Sequence, residues 1–337
     1  MKKYKFTKPL NAPKNIHHND IKEKGIKWVE NSNILNFKDK RLKKKVVALD
    51  LALFASLIFP NANEDQLQLC NEFFTFFFIL DDIMEESEPE VVRYLKEEMR
   101  NIMLGKHYKT RNDISFNATN FFHSFVGLVN RVKANFHEDK TDIFVFGVID
   151  DFMDGCVGEA DARGGIEWTK MPTMQQYESY RYKNGASLLT FFFIQLFRKI
   201  SNKTMMDSRI KRLDVLAGFH AIIINDFYSI PKDIKDNMPN YVLLLVKEKN
   251  WTIEQAKDYT FQKIEDSISE IYKIYNELKA EDFEEALSYA EGLIDVVNGN
   301  SEYSEISTRY HGFQNNIIFN QETNEFTNVI EQLDVQR

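Results

Sequence analysis

From residue 41 onward, apolar positions recur at intervals of three and four, the spacing that gathers them on one face of a helix. The pattern predicts a helix over 43–59, stopped by Pro60 and Asn61, and another over 64–82 with Asn63 as cap and acids in its first turn. Helices over 88–104, 113–135 and 142–159 follow, separated by short polar turns. Gly164 and Gly165 mark a loop, Thr173 caps a helix running towards Lys183, and Gly185 interrupts the pattern before the apolar run 188–200. Further helices are expected at 206–229, 240–249, 252–278, 281–297 and 301–310. The Phe-rich runs have strand propensity, but hairpin turn residues do not flank them, so they are assigned to helices. No repeat or Gly/Ser-rich linker divides the chain, which predicts one all-α, bundle-like domain with a pocket between its helices. The expected organisation is an irregular arm over 1–40, punctuated by Pro9 and Pro13, a helical domain over 41–311, and a polar tail over 312–337.

Composition narrows the function classes. Among 337 residues, 43% are hydrophobic and 28% charged, ordinary for a globular domain. The net charge of -8 argues against a general nucleic-acid binder, which needs a basic surface for phosphates. An anionic small molecule is still admissible, because a bound metal reverses a local field. Cys70 and Cys156 belong to no ligand-spaced cluster and are expected to be reduced and buried. The start MKKYKFTKPLNAPKN has no apolar run after its lysines. The most apolar stretches, 49–59, 73–80 and 188–197, are shorter than a bilayer span. A cytoplasmic protein without stable membrane insertion, monomeric or homodimeric, is the expectation.

The chemistry begins where Phe73-Phe74-Thr75-Phe76-Phe77-Phe78-Ile79-Leu80 runs into Asp81-Asp82-Ile83-Met84-Glu85-Glu86. On a helix, Phe74, Phe77, Asp81 and Glu85 share a face that changes from aromatic to acidic. Clustered carboxylates are costly to bury without compensation, and hard divalent cations supply it. Alone, the cluster reads equally as a helix end entering solvent. A second run, Ile222-Ile223-Ile224, leads into Asn225, and Asn225, Ser229 and Asp233 form a four-and-four stripe of oxygen donors suited to magnesium. Lys232 stands beside Asp233, in reach of a phosphate oxygen.

These two motifs resemble the aspartate-rich motif and the Asn-Ser-Glu triad of class I terpene synthases, in the family's order and separation. The similarity covers about 48–310 and points to microbial and social-amoeba single-domain sesquiterpene and diterpene synthases. It implies the class I terpenoid synthase helical bundle with a central cavity. It also implies a prenyl diphosphate clamped by Mg2+, three ions, with Mn2+ able to substitute. Carried over, Asp81 is the principal ligand of the first motif, supported by Asp82 and Glu85, while Asn225, Ser229 and Asp233 hold a further ion. Tyr177-Glu178-Ser179-Tyr180-Arg181 and the following residues add a second likeness. Arg181 matches the diphosphate sensor, Asn184 the linker and Gly185 the effector, and an arginine fork suits a phosphate. Arg309 and Tyr310 match the terminal diphosphate-binding pair.

The resemblance implies a carbon–oxygen lyase acting on phosphates. It would ionise farnesyl diphosphate, cyclise or rearrange the cation to a sesquiterpene and release diphosphate. Phe74, Phe77 and Phe54 are the candidate aromatic wall for the cation. Alternatives are a diterpene synthase using geranylgeranyl diphosphate, a chain-elongating trans-prenyltransferase, and a non-catalytic isoprenoid-binding helical protein. The prenyltransferase reading would recruit Asp150, Asp151 and Asp154, whose position matches that family poorly. The chain departs from the terpene synthase pattern in four places. Asp233 is a methylene shorter than the usual glutamate, Asn184 replaces a common aspartate, Tyr303 stands where tryptophan is frequent, and Pro231 interrupts the ligand stripe.

Overall fold

Three helices begin with the same reciprocal device. Asn63 accepts from the Gln66 N–H while the Gln66 side chain accepts from the Asn63 N–H, and the pairs Thr173/Gln176 and Thr252/Gln255 repeat it. The structure is a computed structural model that describes residues 4–7, 13–34, 49–114, 116–162, 172–236, 238–307, 314–320 and 325–331. Its elements run α1 (His18–Ser32), α2 (Leu51–Ile58), α3 (Glu64–Glu85), α4 (Pro89–Met103) and α5 (Ala118–Lys133). A π-helical segment, Ile143–Ile149, passes into α6 (Asp150–Ala162), followed by α7 (Met174–Asn184), α8 (Ser187–Phe197) and α9 (Ser208–Asp236). The bundle closes with α10 (Tyr241–Lys249), α11 (Ile253–Ala280) and α12 (Glu284–Ile306). α9 lies at the centre and touches α7, α8, α10, α11 and α12. Over Ser208–Ile234 it is long and apolar enough to cross a membrane, but 67% of its most apolar window is buried inside the bundle.

The all-α expectation holds for the bundle, and several boundaries differ. The arm expected to be irregular contains α1, whose buried His18, Ile21, Gly25 and Val29 recur at helical spacing. α1 packs on α2 and α3, and Asn71 Nδ2 donates to its Ile21 carbonyl at 3.0 Å. Short and mostly polar, it gains its stability as a helix from burying that face against those neighbours. Of the helix expected over 43–59, residues 43–48 lie outside the described residues; α2 starts at Leu51, after Asp50 turns into the left-handed region (φ 43°) and caps Leu53. α12 is one helix where two were expected. Gly299 continues it and lets α2 approach so closely that a Cβ there would lie 2.4 Å from the Leu57 backbone. The segment expected as a polar tail holds an antiparallel pair, β1 (Gln314–Asn320) and β2 (Glu325–Glu331), with Gln314 opposite Glu331 and Asn320 opposite Glu325. Both described cysteines are free and buried, as expected.

His220, on α9, is wholly buried, and neither ring nitrogen has a hydrogen-bond partner among the described residues. Burial pushes its imidazolium pKa down to about 3. Such a histidine leaves stability intact above its unfolded pKa of about 6.5 and drains it as pH falls towards 3, because only the unfolded chain takes up the proton. His220→Leu is therefore expected to stabilise the protein. Its advantage in thermal melts should be about 1–2 kcal/mol larger at pH 5 than at pH 8. Equal gains at both pH values would contradict this account.

Candidate active site

α3 is aromatic on more than one side, and its rings divide the work. Phe73 stacks on Phe77 at 4.8 Å, and Phe76 packs against Phe121 at 4.6 Å, fastening α3 to α5. Phe74, Phe77 and Phe78 instead line a cavity of about 200 Å3, with Phe54 of α2 and Phe152 of α6. At the end of the same helix Asp81 and Glu85 line that cavity, so the aromatic-to-acidic face forms as the spacing predicts. Asp82 sits one step round the helix and is not among the lining residues, which separates it from the other two acids.

Across the cavity, α9 presents Asn225, Ser229, Lys232 and Asp233 to the same space. Lys232 Nζ stands 4.0 Å from Glu85 Oε1, a direct approach of the two motifs. α9 runs through Pro231 to Asp236, so the expected interruption does not remove Asp233 from the stripe. Asp233 is 8% exposed and accepts from Ser229 Oγ at 2.5 Å and Asn240 Nδ2 at 2.7 Å. Burial raises its pKa to about 6, against the pull of Lys232 and of those two donors.

α7 supplies the third wall, where Arg181, Asn184 and Gly185 all line the cavity. Gly185 is required for space: a Cβ would come within 2.6 Å of Ile222 on α9. The left-handed residue of this turn is the next one, Ala186 at φ 56°. The expected tryptophan replacement, Tyr303, also lines the cavity, and its hydroxyl donates to the Leu49 carbonyl. Arg309 and Tyr310 lie outside the described residues.

Four residues that sequence reasoning did not single out complete the site. Asp226 is 1% exposed and accepts from Arg181 NH2 at 2.8 Å, from Arg181 Nε at 3.2 Å, from the Tyr177 hydroxyl, and from the Tyr241 N–H at 2.9 Å. Burial opposes the Arg181 charge, but Asp226 outweighs it and holds the guanidinium protonated. Tyr177 is pushed well up by burial and then by Asp226, which keeps it a donor. The signal was an acid inside the apolar run Ile222–Ile224 to Phe227, which if buried needs a cation or hydrogen-bond donors. Asn240 caps α10 and also donates to the Asp226 carbonyl at 2.7 Å and to Asp233. Glu159 of α6 lines the cavity and accepts from Asn184 Nδ2, while Asn184 Oδ1 lies 3.4 Å from Arg181 NH1. A carboxylate thus reaches the Arg181 side chain through Asn184, from α6, and not from position 184 itself.

The competing acidic run is engaged elsewhere. Asp150 pairs with Arg100 at 3.2 Å, Asp151 with Lys183 at 2.9 Å and Asp154 with Lys96, and none of the three lines the cavity. Among the described residues, no three His, Cys, Asp or Glu side chains converge as a ready metal cage. What faces the cavity is a set of oxygen donors on two helices, the chemistry a hard divalent cation prefers, with arginine and lysine beside it.

Comparison with known proteins agrees with this geometry. The family profile described as terpene synthase family 2, C-terminal metal binding, matches residues 72–270. The (+)-aristolochene synthase of Penicillium expansum is 24% identical over 297 residues, covering 84% of this chain and 83% of its own. A 4-epi-cubebol synthase of Streptosporangium roseum, named as (2E,6E)-farnesyl diphosphate cyclizing, is 20% identical over 323 residues, with 91% and 94% covered. The crystal structure of germacradien-4-ol synthase from Streptomyces citricolor superposes with a TM-score of 0.74 at 16% identity, over 88% of this chain and 96% of that one.

The two classes of acid should separate in unfolding experiments. Asp226→Ala strands a buried arginine and is expected to cost about 3–5 kcal/mol in urea titrations. Asp154→Ala breaks a half-exposed pair and should cost less than about 1 kcal/mol. Similar losses for both would show that Asp226 is not the buried anchor described.

Proposed function

The chain belongs to terpene synthase family 2, and from that premise we propose that it is a magnesium-dependent sesquiterpene synthase acting on farnesyl diphosphate. Membership carries the coarser statement: a class I terpene synthase, a lyase that uses a divalent metal on a prenyl diphosphate. The observation that carries the finer reading is the confrontation of Asp81 and Glu85 with Asn225, Ser229, Lys232 and Asp233 across one aromatic-lined cavity. The Streptosporangium roseum relative, named for cyclising farnesyl diphosphate, supports the fifteen-carbon substrate.

In this reading Asp81 and Glu85 on α3 and Asn225, Ser229 and Asp233 on α9 would hold Mg2+, with Asp82, outside the cavity lining, supporting the motif only through its charge. The ions supply positive charge that stabilises the departing diphosphate. Arg181, kept charged by Asp226, offers a planar donor edge to a phosphate oxygen, and Lys232 offers a point charge beside it. Asn184 and Glu159 orient Arg181 from behind. Arg309 and Tyr310 are proposed as further diphosphate contacts. The carbon–oxygen bond breaks towards this rim, while Phe54, Phe74, Phe77 and Phe78 enclose the allylic cation with ring faces and exclude water. Gly185 permits the close approach of the α7–α8 turn to Ile222, which fixes the cavity wall at the level where the cation forms.

Incubation with the ten-, fifteen- and twenty-carbon prenyl diphosphates, followed by mass spectrometry of volatile and extractable products, tests the reading. A cyclic or rearranged fifteen-carbon product that requires Mg2+ is expected. A twenty-carbon product alone would make the protein a diterpene synthase. Chain elongation with isopentenyl diphosphate would make it a prenyltransferase, and no diphosphate release a binding protein. Asp81→Asn and Asn225→Ala should each lower turnover by about 100-fold or more with melting temperature nearly unchanged. Unaltered product formation in both would refute the metal assignments.

A further inference from the structure

The oxygen stripe on α9 faces the cavity, and its opposite side is occupied by residues from the far end of the sequence. Phe227 lies about 200° round the helix from Asn225, and its ring is 7% exposed. Phe6, itself 2% exposed, meets it edge to face with centroids 5.2 Å apart, and reaches Tyr228 at 6.0 Å. Tyr4 adds a second edge-to-face contact with Phe227 at 5.0 Å. Both rings also pack on Phe261 of α11, at 5.1 Å and 5.4 Å. The Lys257 ammonium sits 5.3 Å from the ring centres of both Tyr4 and Phe227.

This short segment is tethered as well as packed. The Tyr4 hydroxyl donates to Asp258 Oδ1 at 2.8 Å, and the Thr7 N–H and hydroxyl donate to the two Glu265 oxygens at 2.9 Å and 2.5 Å. It therefore joins α11 to the one stretch of α9 where the helix is weakest in itself. Pro231 has no N–H to donate to the carbonyl of Phe227, four residues before it. A turn that lacks an internal bond takes more of its position from what packs behind it.

We propose that residues 4–7 brace the ligand-bearing turn of α9, with Phe6 a positioning residue that acts through Phe227 and Tyr228 on Asn225, Ser229 and Asp233. The role in metal binding rests on the reading of that stripe as a ligand set; the mechanical role does not. An ordinary core phenylalanine would add to stability without favouring one turn, and this distinction makes the inference testable.

Hydrogen exchange with mass spectrometry on the full chain reads the brace directly. Phe6→Ala should speed amide exchange over 225–236 by about tenfold, leave 210–220 of the same helix near its original rate, and be largely rescued by Phe6→Leu. In turnover assays the half-saturating Mg2+ concentration should rise by about tenfold, with kcat at saturating Mg2+ changed far less. If Phe6→Ala fails to fold, the double variant Tyr4→Phe/Thr7→Val cuts the tether to α11 and should move both readouts the same way by a smaller amount. Exchange that quickens evenly along the chain, or an unchanged 225–236 segment, would overturn the brace. A local exchange change with unaltered Mg2+ demand would overturn the link to the ligands. A wild-type protein that releases no diphosphate would defeat the proposed function, while the exchange comparison would still decide the brace.

Discussion

A carboxylate at 1% exposure, set in a helix directly before phenylalanine, is costly to bury unless its surroundings replace water. Asp226 is supplied from three directions: the Arg181 guanidinium and Tyr177 hydroxyl of α7, and the Tyr241 N–H at the start of α10. Those bonds fix α7 and α10 against the middle of α9. Everything polar in the cavity inherits its position from that junction. Arg181 cannot turn away without stranding Asp226. Gly185 and Ala186 follow one turn later, and the Asn225 and Ser229 oxygens sit one and three residues from the anchor. A group that does not itself line the cavity thus sets where the cavity's polar wall stands.

The opposite wall is governed by a different balance. The aromatic lining makes the cavity a medium of lower dielectric constant, where charge–charge attraction is stronger than in water. The charged rim lies where α3 and α9 end their apolar runs. Glu85 and Lys232, 4.0 Å apart with side chains 31% and 27% exposed, are partly solvated, and a pair of that kind adds little to stability. The rim is therefore not locked by its own charges. An incoming diphosphate can exchange the pairing of Lys232 at small cost, whereas the Arg181–Asp226 contact, buried and multiply bonded, stays in place. One cation is fixed and one is exchangeable, a difference that follows from burial alone.

What could be read from the sequence was whatever is local. The caps Asn63 and Thr173, the four-and-four oxygen stripe and the aromatic-to-acidic face of α3 all lie within a few turns of one helix, and local pattern is enough to expose them. The parts that escaped depend on partners distant in the chain. Asp226 bonds to a residue 45 positions earlier, and Glu159 meets Asn184 across 25. α1 is stable as a helix because α2 and α3 offer its apolar face a surface, and its polar remainder hid the repeat. The hairpin β1–β2 was concealed in the same way: its Asn- and Glu-rich composition resembles a tail until the two strands pair. Asp82 marks the converse failure. Its place beside Asp81 in sequence suggested a shared role, yet a helix sends neighbours about 100° apart, and only Asp81 lines the cavity.

Pro231 posed the sharpest conflict between local and global structure, and its resolution shows how the site tolerates it. Proline removes one intrahelical bond between Asn225 and Asp233, which by itself would loosen Asp233. The loss is bridged from outside the helix. The Asn240 amide donates to the Asp226 carbonyl before the proline and to Asp233 Oδ2 after it, both at 2.7 Å, so one side chain spans the gap. Ser229 adds a second bond to the same Asp233 oxygen. These contacts also offset the shorter reach of aspartate, because a carboxylate held by two donors points in one direction. Orientation fixed before a cation arrives need not be fixed at the expense of binding. The same Asn240 caps α10, whose first N–H holds Asp226, so the anchor and the last oxygen donor of the stripe are positioned by a single connection between α9 and α10.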